Sequence, residues 1–125
     1  MPHQHAVVWL DHSDAHVIKF SRDEVEMSHL HAHQAHQHLH QKRAAHERHM
    51  PPTALFDDVV KGLAGAREIL VCGPGAAKNE FVQFVEKHHH ALRPLIYGVE
   101  TLDHPSEGEL LKFARSYFTA ADRMR

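Results

Sequence analysis

The sequence predicts an α/β domain built on a mixed β-sheet, and three observations carry that reading. Short apolar segments near the N-terminus alternate with turn-forming residues, as antiparallel strands do. Later segments alternate between continuous apolar runs and apolar residues at helical spacing, the pattern of strands joined by helices. A long polar tract separates the two halves and offers no core. The predicted element order is βββ-αβαβα.

Ala6-Val7-Val8-Trp9-Leu10 is apolar and is followed by the turn-like Asp11-His12-Ser13-Asp14, after which Ala15-His16-Val17-Ile18-Lys19-Phe20 alternates; the pair reads as a β-hairpin. Ser21-Arg22-Asp23 makes the next turn. Val25, Met27 and His29 then alternate with Glu24, Glu26 and Ser28, which predicts a third, half-buried strand with the first three side chains inward. Pro51-Pro52 closes the polar tract, and Leu55, Phe56, Val59, Val60 and Leu63 recur at the spacing of a core-facing helix.

Glu68-Ile69-Leu70-Val71-Cys72 reads as a buried strand, closed by Gly73-Pro74-Gly75 and followed by a helix carrying Phe81, Val82, Phe84 and Val85. His88-His89-His90 ends that helix, where imidazolium suits the helix dipole. Pro94-Leu95-Ile96-Tyr97-Gly98-Val99 predicts the fifth strand. Ser106 and Glu109 have capping-box spacing for a last helix that buries Leu110, Leu111, Phe113, Ala114, Tyr117 and Phe118. Strands that alternate with helices are expected to pair in parallel.

At 125 residues, with 42% hydrophobic residues, the chain fits one domain, 1–125, interrupted by a polar, histidine-rich excursion at 29–50. The lone cysteine, Cys72, allows no internal disulfide, so a reducing cytoplasm is the expected setting. The N-terminal Met1-Pro-His-Gln-His lacks the basic and apolar regions of a signal peptide, and no apolar run approaches the ~20 residues of a membrane helix. No membrane partner is expected. Net charge is −2, but sixteen histidines make it depend strongly on pH and on metal ions.

Within 29–49 stand His29, His31, His33, His36, His38, His40, His46 and His49. A helix would gather His29, His33, His36 and His40; an extended chain would gather His29, His31 and His33, then His36, His38 and His40. Either arrangement offers imidazoles to zinc, nickel or copper, with His29, His31, His33, His36, His38 and His40 as the candidate ligands. The simplest reading is a solvated loop without fixed partners, since no cysteine or finger spacing accompanies them, and nothing in the sequence requires a cofactor. Lys42, Arg43 and Arg48 add permanent charge suited to phosphate, and histidines can stack on bases.

Three segments carry a family resemblance. They are Val7-Val8-Trp9-Leu10-Asp11-His12 with Ala15-His16-Val17-Ile18, then Ile69-Leu70-Val71-Cys72-Gly73-Pro74-Gly75 with Lys78 and Phe81, then His104-Pro105-Ser106-Glu107-Gly108-Glu109-Leu110. Together they resemble the middle domain of the Pelota and eukaryotic class-1 release-factor family, in the short bacterial form termed a translational machinery protein. That resemblance implies a ribonuclease H-like topology and a setting at the ribosome, with ribosomal or transfer RNA as partner and ribosome rescue or a stress response as the process. Release factors of the family carry a Gly-Gly-Gln tripeptide after the third strand, whereas residues 28–50 here contain Gln34, Gln37 and Gln41 but no glycine. Peptide release by that route is not expected, and the chain reads as noncatalytic.

Other constellations are weaker. Gly73-Pro74-Gly75-Ala76-Ala77-Lys78 lacks phosphate-loop spacing and reads as a structural turn, with Lys78 the side chain placed for weak anion or RNA contact at a helix start. Two-metal nucleolysis would need converging carboxylates, and the candidates Asp11, Asp14, Glu24, Glu26, Glu100 and Asp103 form no dense set. Cys72 reads as a core residue and Trp9 as packing.

Overall fold

The computed structural model describes residues 5–31 and 53–123. Its strands are β1 (His5–Leu10), β2 (Asp14–Phe20), β3 (Val25–His31), β4 (Glu68–Gly73) and β5 (Ile96–Thr101), and its helices are α1 (Thr53–Gly62), α2 (Ala77–His88) and α3 (Glu107–Arg123). They form one five-stranded sheet in the order β3-β2-β1-β4-β5. The two hairpin pairings are antiparallel, while β4 lies parallel to both β1 and β5. The sheet is therefore mixed, as the alternation of elements predicts.

β1 and β4 read as continuous apolar runs because they are central and covered on both faces. Ala6, Val8, Leu10, Val17, Ile69 and Val71 pack against Leu55, Phe56 and Val59 of α1, Leu63 just after it, and Phe81 and Val85 of α2. On the opposite face Val7, Trp9, Ile18, Phe20, Leu70 and Cys72 pack against Leu110, Ala114 and Phe118 of α3. Of the described helices, two thus cover one face and one covers the other.

The turns fix the register. The Asp11 carboxylate accepts hydrogen bonds from the amides of Ser13 and Asp14, both at 2.8 Å, so that Asp14 opens β2 instead of completing the turn. The Glu24 amide donates to the Ser21 hydroxyl at 3.2 Å, and Phe20 then pairs with Val25. At Gly73 a β-carbon would collide with the Leu10 carbonyl oxygen, so only glycine lets β4 end this close to β1. The expected capping box is formed: the Ser106 amide donates to Glu109 at 2.9 Å and the Glu109 amide to the Ser106 hydroxyl at 3.1 Å.

Three expectations need correction. β3 is not half-buried through Val25, Met27 and His29; Val25 and Met27 are 41% and 42% exposed. These side chains share the α3 face of the sheet, but the cover of α3 stops at Ile18 and Phe20, and it is Leu30 on the other face that packs against the core. The strand also continues through His31 by pairing with Asp14, so the first three residues of the expected excursion, 29–31, belong to the sheet. Finally, the fifth strand starts at Ile96, because Arg93–Leu95 forms a 3-10 turn that accepts Pro94 near its start, where a missing amide costs nothing.

Candidate metal centre and nucleic-acid contacts

Side-chain alternation in paired strands puts Asp14 and His16 of β2 on the same face as His31 and His29 of β3, since Asp14 pairs with His31 and His16 with His29. The Asp14 carboxylate oxygen Oδ1 lies 2.6 Å from His31 Nδ1 and 3.4 Å from His29 Nε2. The ligand atoms of Asp14, His29 and His31 all fall within 4.8 Å of one another, and among the described residues this is the one group of three or more such side chains gathered so closely.

Two further rings complete the patch. His16 stacks on His29 with centroids 4.2 Å apart and planes 9° from parallel, and the His31 ring centroid is also 4.2 Å from that of His29. His16 Nδ1 lies 3.3 Å from Glu107 Oε2 in the first turn of α3. α3 is itself located by Trp9, whose indole N–H is shared between the carbonyls of Leu102 at 3.1 Å and Asp103 at 3.0 Å. The core tryptophan of β1 thus sets the segment leading to Glu107, which reaches His16, which stacks on His29.

Of the predicted metal ligands, the structure brings together His29 and His31; His33, His36, His38 and His40 lie outside the described residues, as do Lys42, Arg43 and Arg48. Asp14, which the sequence offers as a hairpin-turn carboxylate and a weak candidate for two-metal nucleolysis, and His16 join them. The signal that locates both is cross-strand register: once Ser21–Glu24 is taken as the turn, positions 14 and 16 must face 31 and 29.

Lys78 is 8% exposed, and its ammonium donates to the Gly75 carbonyl at 2.6 Å, within the turn that opens α2. The six acidic candidates do not converge: Asp11 is held in its turn, Asp14 faces the histidines, and Glu26 stands opposite Lys19 in the strand register, on the other face of the sheet. His89, from the triplet after α2, lies 3.2 Å from Asp57 and ties the end of α2 to α1.

Cys72 is fully buried beside Trp9 in the β1–β4 register. Burial, with the Glu100 carboxylate adding to it and the Lys78 ammonium opposing it, pushes the thiol up to about 12. Tyr117 is raised too, first by burial and then by Glu100, Tyr97 and Cys72. Because the folded thiol titrates above the unfolded value of 9.0, its contribution is intact below pH 9 and is lost as pH rises from 9 towards 12. At most it amounts to about 4 kcal/mol. Iodoacetamide at pH 8 is expected to label the urea-unfolded chain and spare the native one, and Cys72→Ala to flatten the alkaline loss of stability. Native labelling at the rate of a free thiol would refute this placement.

Among the described residues, the fold and its patch define an α/β domain with a mixed five-stranded sheet, two helices on one face and one on the other, and a histidine–aspartate cluster on its outermost hairpin. This is the fold found within Pelota and the archaeal release factors. Archaeoglobus fulgidus Pelota matches with a TM-score of 0.60 at 14% identity over 93% of this chain and 32% of that one. The archaeal translation termination factor aRF1 matches at 0.59 and 16% identity, over 96% and 38% respectively. Dom34 of S. cerevisiae, a translation termination-like factor involved in RNA quality control pathways, matches at 0.55 and 13% over 87% and 31%. The chain spans about a third of the length of these proteins. No protein-family model and no curated protein sequence matches it.

Proposed function

We propose that the chain is a noncatalytic, cytoplasmic, ribosome-associated domain that contacts ribosomal or transfer RNA and serves ribosome rescue or a stress response. The observation that carries this reading is the shared fold with Pelota and aRF1 over 93% and 96% of the chain. The ribonuclease H-like topology implied by the three matched segments belongs to the same reading, and the strand order β3-β2-β1-β4-β5 supports it. Among the described residues no helix is long and apolar enough to cross a membrane. Lys42, Arg43 and Arg48 are the proposed phosphate contacts. Lys78 is the weakest member of the set because its ammonium is already held by Gly75.

Cosedimentation of the purified chain with ribosomes across a salt series tests this. Binding is expected at low salt, weakening as salt rises. Replacing Lys42, Arg43 and Arg48 by alanine is expected to lower the log–log salt slope by about 2–3, from the loss of roughly 0.7–0.9 per phosphate contact. Lys78→Met is expected to lower that slope least, by less than one full phosphate contact. A chain that neither sediments with ribosomes nor binds transfer or ribosomal RNA at low salt does not have this function.

A further inference from the structure

We propose that Asp14, His29 and His31 form a binding site for a borderline divalent transition metal of the Zn2+ or Ni2+ class, built on the β2–β3 hairpin and independent of the rest of the histidine tract.

The geometry is specific to this hairpin. His29 and His31 are two residues apart on one strand, so their α-carbons are separated by about 6.8 Å and their rings would ordinarily project side by side. Here they present different nitrogens, Nε2 of His29 and Nδ1 of His31, and both converge on one carboxylate oxygen of Asp14. The 3.4 Å between His29 Nε2 and Asp14 Oδ1 matches the edge of a tetrahedron of ligands about 2.0–2.1 Å from a zinc ion. His31 Nδ1, at 2.6 Å, has to move outward by about 0.8 Å to match that edge, and all three ligand atoms already lie within 4.8 Å of one another.

The chemistry selects the ion. Two imidazoles with one carboxylate suit zinc, nickel or copper and do not suit calcium or magnesium, which require oxygen. Side-chain exposures of 35% for Asp14, 43% for His29 and 41% for His31 let an ion enter from solvent without opening the core. Three protein ligands leave one tetrahedral position, on the solvent side, for water. His16, stacked on His29 and held by Glu107, is a positioning residue that limits rotation of the His29 ring.

A simple exposed ion pair is the competing account of the same distances, and such pairs are worth ~1 kcal/mol or less. It predicts no metal binding. The two are separated by titrating zinc chloride, in a calorimeter, into the full chain carrying His33→Gln, His36→Gln, His38→Gln and His40→Gln. One-to-one binding is expected to remain. Adding His29→Gln and His31→Gln is expected to weaken it more than about 100-fold, beyond the cost of losing an outer-shell partner. His88→Gln with His90→Gln is expected to leave it unchanged.

Asp14→Asn provides a second ligand variant, and thermal melts in chelator verify that each variant folds. In the unmodified chain, substoichiometric Ni2+ is expected to broaden first the amide resonances of residues 14–16 and 29–31. The proposal is overturned if binding survives loss of both His29 and His31, if it vanishes when only the four tract histidines are replaced, or if broadening centres elsewhere. Ribosome cosedimentation in chelator reads the proposed function separately, so either idea can fail without the other.

Discussion

Phe81→Ala is expected to cost about 3–5 kcal/mol, a large part of the ~5–15 kcal/mol available to a domain of this kind. Phe81 is fully buried on α2 and meets Phe56 of α1 edge to face, with centroids 5.5 Å apart at 75°. It sits where both helices meet the sheet, among Val8, Val71 and Val85. Truncation removes the aromatic pair and leaves a cavity that three elements would have to close together. Urea unfolding should give a midpoint shifted well down with an unchanged m-value, and a Tm lower by about 10–20 °C. A loss below about 1.5 kcal/mol would mean that α2 does not pack on the sheet through Phe81.

Trp9→Ala is the second large effect, also about 3–5 kcal/mol, with a different division of causes. The indole is 4% exposed and fills the α3 face of β1, while its N–H satisfies the two carbonyls ahead of α3. Trp9→Phe keeps most of the packing and removes the hydrogen bonds, so it is expected to cost about 1–3 kcal/mol. Hydrogen exchange should show the difference in place as well as size. Loosening of the 102–107 segment is expected in both variants, and its absence in Trp9→Phe would mean that the indole N–H does not hold that segment.

Much of the fold was legible because central strands and amphipathic helices write their environment into composition. β1 and β4 are apolar throughout since neither face meets water, and the α1, α2 and α3 spacings each name the face that is buried. β3 was harder to read. Its alternation was visible, but which face was inward depended on how far α3 reaches across the sheet, a tertiary fact that put Val25 and Met27 in solvent and Leu30 against the core. Pro94 likewise reads as strand from its apolar neighbours, although its ring suits the turn before Ile96.

The candidate site was half legible. The histidine density drew attention to His29 and His31, yet density alone could not separate them from their neighbours in the tract. Asp14 is fifteen residues before His29 in sequence and reaches it only through the strand register set by the turn at Ser21–Glu24. The likeness to Pelota and the release factors, read from three segments, is present in the fold. At 14–16% identity the likeness to these structures is one of fold.

The pairing of Trp9 with Cys72 across β1 and β4 gives the chain two native reporters in one place. It has a single tryptophan and a single cysteine, both buried and side by side at the centre of the sheet. Intrinsic fluorescence and thiol trapping therefore watch the same few ångströms through unrelated signals. If the sheet opens as one cooperative unit, the two denaturation curves should superimpose, and no label has to be engineered in to see it.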